Sequence, residues 1–168
     1  MNGSEPPMHP RATELIRTLE LEPHREGGFF RQVFRSPRHV TPDDGRAPRP
    51  SLTVIHFLLP AGQHSRWHVV RSDELWAFEE GEPLELLVAS PDAASLQTTR
   101  LGPLRAGAEP ARIVPADHWQ AARSTGPFTL VLCAVAPGFE YADFRFVADD
   151  AAAHQRLERL FPEYASLL

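Results

Sequence analysis

The stretch Gly62–Gly81, GQHSRWHVVRSDELWAFEEG, decides how this chain folds. Its segments SRWHVV and ELWAFEEG are rich in β-branched and aromatic residues and are separated by the polar break RSD, so they read as two strands joined by a turn. His64 and His68 are four apart, as two ligands on one helical turn would be. The flanking residues are strand formers, however, and a zinc-peptidase pattern would need glutamate where Ser65 stands. On a strand, residues 64, 66 and 68 share a face. His68 then points inward, the turn reverses the chain, and Glu74 returns on the neighbouring strand toward the same cavity. Gly81 ends that hairpin. Asp73 is read as a turn residue whose side chain binds a nearby backbone amide.

Outward from this hairpin the texture persists. FFRQVFRS, SLTVIHFLLP, LELLVAS, ARIVPA, TLVLCAVAPG and EYADFRFV are strand-length runs punctuated by AGQ, GEP, PDAAS and GP. Many short strands in series imply a sandwich or barrel. PRHVTPDDGRAPRP has no periodicity and reads as a loop. Near the N-terminus PRATELIRTLEL places Leu15, Ile16 and Leu19 on one helical face before EPH and EGG break the pattern, and DDAAAHQRLERLFPEY carries Leu157, Leu160 and Phe161 at helical spacing after Asp caps. Residues 1–10 are read as a polar lead-in and residues 11–168 as one domain, in keeping with a length of 168.

Composition narrows the function classes. Net charge is −5, and the 17 Lys and Arg residues form no block or stripe, so neither nucleic acid nor an anionic membrane surface is an expected partner. The only cysteine, Cys133, lies in an apolar run and is read as packing; it permits no intramolecular disulfide. Nothing in the sequence resembles a leader or a spanning segment, and a cytoplasmic location is expected.

The spacing Gly62-x5-His68-x-Val70-x3-Glu74-x6-Gly81 resembles the first cupin motif, G-x5-H-x-H-x3-E-x6-G, with Val70 in place of the second histidine. Pro115, Ala116, Asp117 and Gln120 occupy the second motif, P-x-G-x2-H, with its Gly and His changed. The strings EGGFFRQVFRS, IHFLLPAGQHSRWHVVRSDELWAFEEGEPLEL, VPADHWQAAR and LCAVAPGFEYADF are similar to a family of small RmlC-like cupins, a sugar-epimerase-like domain of unknown function. The likeness runs from Glu14 to about Phe146. It implies an all-β jelly-roll barrel, or double-stranded β-helix, with short flanking N- and C-terminal helices, usually homodimeric, with a pocket opening into the barrel.

Three readings of the site follow. In the first, His68 acts as a base, a carboxylate such as Glu74 orients it, and Tyr141 supplies the acid for epimerase or isomerase chemistry on a sugar or nucleotide-sugar-like ligand. Burial would raise the pKa of Glu74, and a nearby Arg31 or Arg66 would lower it. In the second, the pocket binds a small molecule without turnover, with Arg31, Arg66, Trp76, Phe78 and Gln120 as contacts; the simplest reading of each tryptophan alone is core packing. In the third, a divalent metal is held by His68, Glu74 and Gln120. The amide is a weak ligand and Val70 offers none, so no cofactor is assigned.

Overall fold

The computed structural model describes residues 8–104 and 107–168. Most of the lead-in read over residues 1–10 therefore lies outside the described residues. Helix α1 (Pro10–Thr18) comes first. The strands are β1 (Glu22–Pro23), β2 (Phe29–Arg35), β3 (His39–Val40), β4 (Arg49–Pro50), β5 (Thr53–Pro60), β6 (His64–Val70), β7 (Asp73–Gly81), β8 (Leu84–Ala89), β9 (Leu96–Leu101), β10 (Ala111–Val114), β11 (Trp119–Ser124), β12 (Phe128–Ala136) and β13 (Phe144–Phe146). Helix α2 (Ala151–Leu160) follows.

The strands form two facing antiparallel sheets, ordered β1-β2-β5-β12-β7-β10 and β13-β6-β11-β8-β9, with β3 and β4 as a separate ribbon. This is the expected all-β jelly roll with flanking helices, built as a two-sheet sandwich rather than a closed ring of strands.

The strands read as nearly continuous apolar runs because both of their faces are covered. Along β5, Phe57 and Leu59 point between the sheets, while Leu58 points out under α1 beside Leu15, Phe128 and Leu130. Along β8, Leu86 faces the interior and Leu87 faces α2 together with Trp67, Val69 and Trp119. Helix α2 begins where the Asp150 side chain accepts from the Ala153 amide at 3.1 Å, and it buries Ala153 and Leu157. Leu160, read as part of the same face, is exposed.

Three sequence readings change. Segments β6 and β7 are not partners: β6 pairs with β11 and β13, and β7 with β12 and β10. The turn at Arg71–Ser72 thus carries the chain from one sheet to the other, so His68 and Glu74 face each other across the sandwich. Strands β9 and β11 fall outside the strand reading because LQTTRL is polar and WQAARS is alanine-rich, and the two-residue strands β1, β3 and β4 fall in segments read as a helix break and a loop. EYADFRFV is a 3-10 turn (Tyr141–Asp143) followed by only three strand residues.

Candidate functional site

A cavity of about 280 Å³ opens at one end of the sandwich. Its walls are largely apolar, from Phe30, Ile55, Phe57, Val70, Val135 and Phe144, and the histidines and carboxyls His24, Glu26, His68 and Glu74 line it together with Cys133 and Tyr141. Strand parity delivers two of them. His68 and Val70 point inward from β6, and Glu74 points inward from β7, where it pairs with Val135 and Val114.

A bulge in β6 sets who joins them. Gln120 pairs with His68 but Ala122 pairs with Ser65, so Arg66 and Trp67 together oppose Ala121. The extra residue reverses the alternation. Ser65, not Arg66, therefore shares the inner face with His68, and the fully buried Ser65 hydroxyl donates to Glu26 Oε1 at 2.9 Å. Arg66 turns outward, donating to the Arg25 carbonyl at 2.6 Å and lying 4.3 Å over the Phe146 ring.

Glu26 arrives from the loop before β2, locked by backbone contact. Its carbonyl accepts from the Arg66 amide at 2.8 Å. Gly27 follows at φ +113°, where any Cβ would collide with the His64 carbonyl, so only glycine lets the loop lie this close to β6. Glu26 Oε2 then sits 3.2 Å from His68 Nε2. Neither Glu26 nor His24 was singled out from sequence. The Gly27-Gly28 pair directly after an acidic residue was the available signal, and EGG was read only as the end of a helix.

The protons can be placed. His68 Nδ1 lies 2.7 Å from the Arg66 carbonyl, which only accepts, so Nδ1 carries a hydrogen and Nε2 is the titrating atom. Burial depresses the His68 pKa against the opposing effect of the Glu74 charge, and burial raises that of Glu26 despite His24 and the Ser65 hydrogen bond. Burial thus works against the charge of both partners. His24 accepts the Glu26 amide at Nδ1 and is likewise held neutral by burial. Phe144 stacks on the His68 ring with centroids 5.2 Å apart.

Glu74 is the least compensated member. Gln120 Nε2 donates to its Oε2 at 2.7 Å, and Gln120 Oε1 in turn accepts from Trp76 Nε1 at 3.0 Å, so the indole fixes which end of the amide meets the carboxyl. The Cys133 thiol lies beside it in the cavity lining. Burial outweighs these contacts and pushes the Glu74 pKa up to about 7. Burial and the neighbouring Glu74 raise the Cys133 thiol well above its ordinary value, so it is no nucleophile, in line with its reading as packing.

The sequence-predicted residues thus divide. His68, Glu74 and Gln120 come together at the cavity floor. Tyr141 lines the mouth at 46% exposure. Trp76 and Phe78 point inward from β7 but deeper, in the core with Val131 and Leu86. Arg31 lies on the outward face of β2, paired with Glu20 at 3.0 Å, because Phe30 and Gln32 take the inward positions. Asp73 does bind a backbone amide, that of Ala116 in the loop between β10 and β11, at 2.8 Å. Asp117 stands at φ +63°, in the left-handed region its motif reserves for glycine.

The comparisons agree with this geometry. A family model described as Cupin superfamily (DUF985) matches residues 13–147. The chain belongs to this cupin family. Protein SO0799 from Shewanella oneidensis is 34% identical over 93% of each chain, with a TM-score of 0.77. A hypothetical protein from Leishmania major is 28% identical over 93% of this chain and 95% of its own, with a TM-score of 0.79. Oxalate decarboxylase from Bacillus subtilis is similar in fold alone, at 12% identity and a TM-score of 0.56 over 87% of this chain and 36% of its own. No curated protein matches.

The metal reading can be tested on this cupin's own donors. Val70 contributes none, the Gln120 oxygen is engaged by Trp76, and His68 presents only Nε2, which faces Glu26. Among the described residues no group of three His, Cys, Asp or Glu side chains is arranged to hold a metal ion. The set does not fit a divalent cation, and no chemistry is routed through one.

Proposed function

We propose that this cupin binds a small molecule in the cavity and moves a proton at a carbon beside a carbonyl, as an isomerase or epimerase does. The observation that carries the reading is Glu74, a buried carboxyl that pairs with no Lys or Arg among the described residues and whose pKa is pushed up to about 7, at the floor of an open pocket beside His68. As a carboxylate it takes the proton, and the electrons of the C–H bond pass to the carbonyl oxygen. Return of a proton from Glu74 or from the His68–Glu26 couple restores the carbon in a new position or configuration. Tyr141 suits contact with the outer end of the ligand, since its ring lies at the mouth.

At about 280 Å³ the cavity is just below the usual range of roughly 300–1,000 Å³, which suits a unit of monosaccharide size. The nucleotide part of a larger ligand would extend past Tyr141. A homodimer in the cytoplasm completes the proposal, on the strength of the family likeness; no helix among the described residues is long and apolar enough to cross a membrane.

Incubation in D2O with a panel of keto sugars, nucleotide sugars and small ketones with and without an amino group tests the reaction. Deuterium is expected at the carbon beside the carbonyl of at least one compound that binds. Compounds that bind without any exchange would leave a binding protein and remove the enzyme.

A further inference from the structure

We infer that the ligand of this cavity carries a positive charge, an ammonium or similar organic cation on an apolar body, because aromatic walls and an unpaired buried carboxyl leave a place for a cation and none for an anion. The inference rests on the reading of this cavity as a ligand site and specifies what enters it.

Five aromatic rings line the space: Phe30, Phe57, Phe139, Tyr141 and Phe144. Ring faces attract cations through their quadrupole, the more strongly when water is excluded. The chain already shows the affinity at the rim, where the Arg25 guanidinium lies 4.6 Å over the Tyr141 ring. Among the described residues no Lys or Arg side chain lines the cavity, whereas two carboxyls do. A carboxylate or phosphate placed there would lose its hydration and meet no opposite charge.

The carboxyls differ in how they are compensated. Glu26 has His68 Nε2 at 3.2 Å and the Ser65 hydroxyl at 2.9 Å. Glu74 is 7% exposed, yet its hydrogen-bond partner is the neutral Gln120 amide. Buried acidic side chains are almost always paired with a positive group, and among the described residues no Lys or Arg is in contact with Glu74. The groups facing Glu74 are His68 from β6, Glu26 and His24 from the loop before β2, Gln120 from β11 and Cys133 from β12, with Arg25 outside at the rim. An entering cation completes the pair, and Glu74 gives its proton to water as the ligand binds. That also readies the carboxylate as a base.

Three molecules of one shape and different charge separate the possibilities: benzylammonium, benzyl alcohol and benzoate, titrated into the purified protein by calorimetry at pH 7.5. Benzylammonium is expected to bind at least tenfold more tightly than the alcohol, and benzoate more weakly than either. Because Glu74 must ionise, benzylammonium affinity is expected to rise about tenfold from pH 6 to pH 8 while that of the alcohol stays level. Glu74→Gln should erase the preference for the cation, and the wild-type ranking carries the test by itself if that variant does not fold. An alcohol that matches the cation, or a benzoate that exceeds it, overturns the inference and leaves the pocket standing. Absence of binding by all three at millimolar concentration overturns both.

Discussion

Replacing Glu74 with glutamine is expected to cut the exchange rate by about 10²–10⁴-fold and to leave a protein more stable above pH 7 than the wild type. The first effect is the loss of the base. The second follows from linkage. Glu74 titrates near 4.5 in the unfolded chain and near 7 when folded, because burial disfavours its charge. Between those values the folded state holds the extra proton, so wild-type stability falls as pH rises from 4.5 to 7 and levels off above. The difference is roughly 3 kcal/mol, an order of magnitude for a fully buried group. Glutamine keeps an oxygen to accept from Gln120 Nε2 and carries no charge. The stability lead of the variant is therefore small at pH 5 and grows toward pH 8, as denaturant unfolding at the two pH values will show. A variant that loses stability equally at both would mean that Glu74 is ionised and well paired in the native state.

Asp143→Ala is expected to cost about 3–5 kcal/mol. Asp143 is buried in the 3-10 turn that carries Tyr141 at the cavity mouth, and it leads into Phe144, the residue stacked on His68. Its carboxylate pairs with Arg49 and, at 3.2 Å, with Arg46, which also donates to the Ser72 hydroxyl at 3.1 Å. Both guanidinium groups come from the loop around β4 and are almost fully covered, their side chains 5% and 7% exposed. Removing the acid strands the buried Arg49, whose charge burial already works against, while Arg46 loses one carboxylate and keeps Asp44 at 2.8 Å. The same contact holds the front wall in place, so ligand affinity should fall with stability. Denaturant midpoints of the variant, and of the double replacement Asp143→Leu with Arg49→Met, check the cause. The double variant should recover much of the loss, because replacing both partners leaves fewer unpaired charges.

What the sequence showed of this site follows the range of the interactions involved. The distances from Gly62 to Gly81 are local, and they placed His68 and Glu74 at one cavity although the two strands belong to different sheets. A turn of that length serves a hairpin or a crossing between sheets equally well, so the pairing itself was not legible. Arg66 was assigned the parity of His68. The bulge that breaks that parity is defined by pairing with Ala121, more than fifty residues away. Trp76 and Phe78 do face inward, as alternation requires, but alternation says nothing about depth along β7, and both lie beyond the cavity in the core. Glu26 is the largest omission. It belongs to no strand, and it reaches His68 only because Gly27 allows a close backbone approach to His64. Arg46 and Arg49 sit in a stretch with every mark of an exposed loop, and their burial depends on Asp143 across the fold, with Ser72 also accepting from Arg46.

In the proposed reaction Glu74 is a buried carboxyl poised to exchange a proton near neutral pH at an open cavity. Carbon-detected NMR of protein labelled with ¹³C at the glutamate side-chain carboxyl tests it directly. One resonance is expected to titrate with a midpoint near 7, to be missing from Glu74→Gln, and to move to lower pH when a cationic ligand is added. A Glu74 resonance already fully ionised at pH 5.5 would contradict the account.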